Sequence, residues 1–213
     1  MRFEEQSIKE FIVDLESDLP APGGGSVAGL ISALSGALNS MVYSLTVGKK
    51  AYMNLEENEK ALIDKFQKES KMFATRSLEI MNLDKENFLE LMKSYKLPKN
   101  TEEEIELRKK SIRENTIKSM EAPLALARES LEFYENLKIM MKYGNKMLLS
   151  DLSISAILLN SAIESSVINV KVNLNSLRNE DFFDSIDKEL KRIKEESGNH
   201  KREICDSIEK VIY

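Results

Sequence analysis

The sequence predicts an all-α fold, a single-domain bundle of long, mostly antiparallel helices spanning residues 1–213, and three observations lead there. The 213-residue chain has only four prolines and eight glycines. Pro20, Pro22 and Gly23 to Gly25 fall in one cluster, so little interrupts the remainder. Apolar residues recur at three- and four-residue steps through most of the chain, and no run shows the alternation of a half-buried strand. Neither an internal repeat nor a low-complexity linker divides it, and the length suits one domain.

After the proline and glycine turn, Val27, Leu30, Leu34, Leu38, Met41 and Leu45 form the first helical stripe. Beside it run Ala28, Ser32, Gly36, Ser40 and Ser44, each four apart. Small residues at that spacing let another helix approach closely, so this helix is expected to be central and packed on more than one side, with a second subunit as one partner it can take. Further helices are predicted over residues 51–81, 84–96, 101–143, 150–177 and from about 181 into the C-terminal tail. Asp84, after Asn82 and Leu83, reads as the cap of a new helix. Pro123 cannot donate to the carbonyl of residue 119, so a kink or break is expected there.

Hydrophobic residues make up 42% and charged residues 31%, the balance of a folded soluble protein. A net charge of -5 gives no basic field to gather nucleic acid or an anionic membrane. The single cysteine, Cys205, fits a reducing, cytoplasmic setting. With His200 the only histidine, a Ser-His-Asp triad, a Cys-His pair and a histidine–cysteine zinc site all lack parts, and no metal site is expected. Residues 19–48 carry no charge and are long enough to span a bilayer. Ser26, Ser32, Ser35, Asn39, Ser40, Ser44 and Thr46 within them speak against insertion. The charged Glu4, Glu5, Lys9 and Glu10 speak against a signal peptide.

Four features can carry chemistry, each with a plainer structural reading. Gly23, Gly24, Gly25 and Ser26 stand at a helix start, where free amides can hold an anion or Ser26 can simply cap the helix. Lys49 and Lys50, followed by Tyr52, either complement a helix dipole or meet a substrate's negative charge. Asp84 is a carboxylate or a cap. Asp151, Ser155, Ala162, Ser166, Asn169 and Asn173 project within about one sixth of a turn of one another, at 100° per residue. Such a row of small polar groups lines a ligand cavity or forms a hydrogen-bonded helix contact.

Taken in order, these runs are specific: Pro20-Ala-Pro-Gly-Gly-Gly-Ser-Val-Ala28, Leu45-Thr-Val-Gly-Lys-Lys-Ala-Tyr52, Asp84 with Phe88, Leu97-Pro98-Lys99, Arg108, Pro123-Leu124, Gly144-Asn145 before Ser150-Asp151, and Asn169-Val-Lys-Val-Asn173. Over nearly its whole length the sequence resembles the cyclodeaminase/cyclohydrolase family. That family includes the cyclodeaminase part of formiminotransferase-cyclodeaminase and the stand-alone bacterial methenyltetrahydrofolate cyclohydrolases.

The resemblance implies a helical subunit that forms a homodimer, with a tetrahydrofolate site in a cleft near the subunit interface. It implies either hydrolysis of 5,10-methenyltetrahydrofolate or closure of formimidoyltetrahydrofolate with loss of ammonia. Neither reaction needs a cofactor beyond the tetrahydrofolate substrate. On this reading Asp151 and Asp84 move protons or stabilise the amidinium cation, and Lys49 and Lys50 meet the anionic tail or the leaving group. Asn145, Asn169 and Asn173 hold the pterin, with Gly23 to Ser26, Tyr52 and Ser150 completing the substrate contacts. The cyclohydrolase reaction is the preferred one. A helical scaffold that binds partner helices without catalysis is the alternative of another class.

Overall fold

Because helix breakers are confined to so few places, the elements after the turn at 20–25 run to unusual length. The computed structural model describes residues 2–212 and contains, among them, helices but no strand. In chain order these are α1 (Ile8–Glu16), α2 (Gly24–Ser44), α3 (Lys50–Met53), α4 (Glu57–Tyr95), α5 (Glu102–Tyr143), α6 (Leu149–Leu174) and α7 (Phe183–Ile212). Ser7 and Thr101 cap α1 and α5, each paired with a glutamate three residues on.

Helices α2, α4, α5 and α6 form a ring in which each packs on two neighbours, and α7 lies over α5 and α6. Neighbours in the ring run in opposite directions. Along α2, Ser32 meets Ser77 and Asn39 meets Ser70, so α4 descends as α2 rises. Ser119 meets Asn173 and Tyr134 meets Ala156 in the same reversed sense across α5 and α6. Phe73 stacks on Phe133 at 3.9 Å between ring centroids near the centre. Leu152, Leu159, Ile163, Leu190 and Ile193 are fully buried around it.

The small-residue stripe of α2 packs inside the bundle at Ala28, Ser32 and Gly36 and reaches the surface at Ser44, so α2 is a central helix whose close neighbour is α4 of the same chain. A Cβ at Gly29 would lie 2.7 Å from that of Met81, and one at Gly36 would lie 3.0 Å from the Phe73 ring. Absent side chains let α2 and α4 touch almost backbone to backbone. Ser32 bonds Ser77 and Ser130, Ser35 and Ser155 bond each other, and Asn39 donates to Asn136 at 2.7 Å. The uncharged helix therefore turns its polar side into the bundle. Its apolar stripe turns out, leaving Leu34 47% and Leu45 42% exposed.

Two expected breaks are absent. Helix α4 continues through Asp84, with Asn82 inside it. That asparagine accepts from the Phe3 amide and donates to Glu4 and Leu78, fastening the N-terminal segment. Helix α5 continues unbroken through Pro123, which removes one hydrogen bond from it. The predicted helix over 51–81 is in fact α3 followed by the first part of α4.

Candidate active site

The cavity that collects most of the expected residues lies where the start of α2 meets the second half of α4, α5 and the last turns of α6. Its volume is about 380 Å3, and Gly23, Gly24, Gly25, Ser26, Asp84, Asn169 and Asn173 all line it. Helix α2 begins at Gly24 with Gly23 as its N-cap, so Ser26 sits inside the first turn and does not cap it. No side chain caps that turn, which leaves its amides and the positive end of the helix dipole at the cavity wall.

Asp84 projects from α4 against this turn. A Cβ at Gly25 would collide with its carboxylate, so glycine is what allows acid and helix end to share the space. Burial pushes Asp84 up to about 6, since a low-dielectric surrounding disfavours the charged form. A carboxyl group that titrates near neutrality can both take and return a proton. Gly25→Ala should therefore lower turnover by about 10²-fold by displacing the carboxylate. An unchanged rate with unchanged circular dichroism would show that this position is irrelevant to catalysis.

Asn169 and Asn173 close the opposite wall. Asn169 donates to the Ser165 carbonyl at 3.0 Å, while Asn173 spends its amide hydrogens on the carbonyls of Asn169 and Ser119, both at 3.1 Å. The polar row along α6 thus serves both of its expected uses. Near its start Ser155 makes a helix contact with Ser35, and at its end the two asparagines line the cavity.

Sequence reasoning did not select Phe88, Tyr95, Thr116 or Ser119 as site residues, and they line the cavity too. Phe88, Leu91 and Tyr95 follow Asp84 by four, seven and eleven residues, one face of a helix that does not stop at Asp84. That spacing was the available signal.

Asp151, Lys49, Lys50, Tyr52, Asn145 and Ser150 do not line this cavity. At 1.5 Å per residue, Asp151 stands about 33 Å from Asn173 along α6. The lysines lie past the far end of α2, whose 21 residues span about 30 Å. Both are exposed. The Asn145 amide donates to Thr46 Oγ1 and its side chain accepts from Met147, which ties the segment before α6 to the end of α2. Tyr52 donates to Asp64. The expected residues therefore form two groups at opposite ends of the bundle. Among the described residues, no group of three or more His, Cys, Asp or Glu side chains is placed to hold a metal ion.

A family model described as formiminotransferase-cyclodeaminase matches residues 7–192. The chain belongs to this family. It is 31% identical to the methenyltetrahydrofolate cyclohydrolase of Methylorubrum extorquens, over 97% of this chain and 98% of that one. It is 28% identical to the formimidoyltransferase-cyclodeaminase of Mus musculus across 96% of its own length, but spans only 37% of that protein. The crystal structure of formiminotetrahydrofolate cyclodeaminase from Thermotoga maritima superposes with a TM-score of 0.85 over 99% of both chains at 24% identity. The helical bundle is thus a fold that the family shares.

Proposed function

We propose that this chain is a folate enzyme that hydrolyses 5,10-methenyltetrahydrofolate to 10-formyltetrahydrofolate, in a site that a second copy of the chain completes. One observation carries the reading: a carboxyl group held near pH 6 in a cavity built from the glycine turn and the two asparagines. The full-length similarity to a protein named as this cyclohydrolase supports it.

In the reaction, water attacks the cationic carbon between N5 and N10 while Asp84 accepts its proton. The resulting neutral tetrahedral carbon collapses as Asp84 returns the proton to N5, the bond to N5 breaks, and the formyl group stays on N10. The hydroxyl proton goes to solvent, so one proton is released per turnover. The ionised carboxylate also opposes the cation's charge before attack. Nothing beyond the folate is consumed, and no cofactor is invoked.

Because Asp84 must be ionised to accept a proton, kcat/KM should rise through about pH 6 and level off above it. A profile flat from pH 5 to 8 would remove Asp84 from the proton-transfer step. The cyclodeaminase reaction is the second reading, favoured by the mouse relative's name. It uses the same carbon, with N10 attacking and ammonia leaving.

The split between the two groups of residues supports a homodimer. Helices α2 and α6 lie side by side, and their outward faces expose Leu34, Met41, Leu45, Ile154, Ile157 and Ile168. Exposed large apolar residues gathered on two adjacent helices mark an interaction surface. A second copy laid over it about a two-fold axis across the helices would bring the end of one α2 to the beginning of the other. Lys49 and Lys50 of the partner subunit would then meet the folate tail at the Asp84 cavity.

Leu34→Glu should leave the helix content intact and yield a monomer by sedimentation velocity. A wild-type monomer at micromolar concentration would contradict the completed site. We place the protein in the cytoplasm and outside the membrane. Although α2 and the segment 146–177 are long and apolar enough to cross one, their buried serines and asparagines bond within the bundle. Calorimetric titration with tetrahydrofolate separates this reading from the helical scaffold, which requires no binding at millimolar ligand.

A further inference from the structure

Between Ser119 and Pro123, α5 gives up one hydrogen bond and leaves one buried hydroxyl unsatisfied, and both irregularities fall at the cavity. Pro123 has no backbone N–H to give to the Ser119 carbonyl, the partner a regular helix would supply. That carbonyl instead accepts from Asn173 Nδ2 of α6. A second bond, to the Asn169 carbonyl, takes the other amide hydrogen. Asn173 is thereby fixed in one orientation, since the reversed amide would set oxygen against oxygen. The atom it has left for the cavity is Oδ1, an acceptor.

The second irregularity is Ser119 itself. Its hydroxyl oxygen is one of four buried side-chain nitrogen or oxygen atoms without a partner among the described residues. It alone of the four belongs to a residue lining the Asp84 cavity. Ser119 is 5% exposed, so water does not easily satisfy the hydroxyl. Thr116, one turn earlier on the same face, has already given its proton to the Ile112 carbonyl and offers only an acceptor.

We propose that the Ser119–Pro123 turn positions the substrate: Pro123 frees a carbonyl that locks Asn173, and Asn173 Oδ1 with the Ser119 hydroxyl reads the polar edge of a flat heterocycle bearing N–H donors. This rests on the folate reading, in which Asn173 meets the pterin, and adds Ser119 and Pro123 as the residues that contact and position that ring. Ser119 contacts the ring directly. Pro123 is a positioning residue that acts through Asn173. The turn thus favours ligand binding over helix stability, a trade common at sites.

The test uses Ser119→Ala, Pro123→Ala, Asn173→Ala and the Pro123→Ala/Asn173→Ala double variant, each titrated with tetrahydrofolate and with a tetrahydropterin that lacks the tail. The melting temperature of each unliganded variant is measured as well. Ser119→Ala should weaken both ligands by about tenfold. It should not lower the melting temperature, since alanine removes an unpaired hydroxyl and favours helix. Pro123→Ala should also weaken both ligands with the melting temperature unchanged or raised. In the Asn173→Ala background it should have no further effect, as expected of two residues on one path.

A lowered melting temperature with unchanged affinity for Ser119→Ala would make that serine structural and overturn the proposal. So would an equal loss from Pro123→Ala with and without Asn173. If wild type bound neither ligand, the folate reading itself would fail, a result distinct from normal wild-type binding with unaffected variants.

Discussion

Asp84→Asn should lower kcat by about 10²–10⁴-fold, the range for loss of a positioned acid–base group, and should at the same time make the protein more stable. The two effects have one cause. Burial raises the acid from 3.8 to about 6, so the folded state holds its proton more tightly than the unfolded chain does. Above about pH 6 the folded protein must carry an ionised carboxylate in the cavity, at a cost of about 3 kcal/mol by 1.36 kcal/mol per pKa unit. Asparagine removes that cost. The gain in melting temperature should be largest above pH 6 and vanish below about 4, where the acid is neutral in both states. A variant that lost activity and stability together at neutral pH would point to a structural acid.

Mixing two damaged subunits should restore activity that neither has alone. With Asp84→Asn in one and Lys50→Ala in the other, each hybrid dimer has one site in which both residues are native and one in which neither is. Random exchange makes half the dimers hybrids, so below saturation the mixture should recover about a quarter of the wild-type rate. No recovery is possible if one chain supplies both residues to one site. Asp151→Asn in place of Lys50→Ala asks the same of the carboxylate at the far end. Recovery there would assign that residue to the shared site, whereas full activity of Asp151→Asn alone would leave it a helix-end residue.

Much of the architecture can be read from the sequence because helix breakers are rare and apolar spacing is regular over long segments. The errors fall where a tertiary contact overrides a local signal. Asn82 and Asp84 look like residues that end and restart a helix, yet Asn82 is taken by Phe3 and Glu4 and Asp84 by the cavity. Pro123 stays within α5, and its lost hydrogen bond reappears as the anchor of a residue on another helix.

Periodicity shows that α2 has two unlike faces but does not say which is inside. The apolar face would ordinarily be assigned to the core. Here serines and glycines hold it instead, because close approach to α4 needs small groups and the hydroxyls find partners there. For the site, family likeness gathers Asp84, Lys50 and Asp151 into one set, since motif order carries no distance. Only the helix lengths reveal that they lie a bundle apart within one subunit. Thr116 and Ser119, small residues amid a charged and apolar helix, give no pattern by which a single sequence would select them.

The most direct test follows the carbon bridge itself. Purified enzyme is given 5,10-methenyltetrahydrofolate while the loss of its near-ultraviolet absorbance is recorded, and in a parallel cuvette is given 5-formimidoyltetrahydrofolate while the same absorbance is watched for gain. Enzyme-dependent loss is expected in the first, faster than any gain in the second, and almost none with Asp84→Asn. Gain without loss would exchange hydrolase for deaminase at the same site, and no enzyme-dependent change in either cuvette would contradict the folate function altogether.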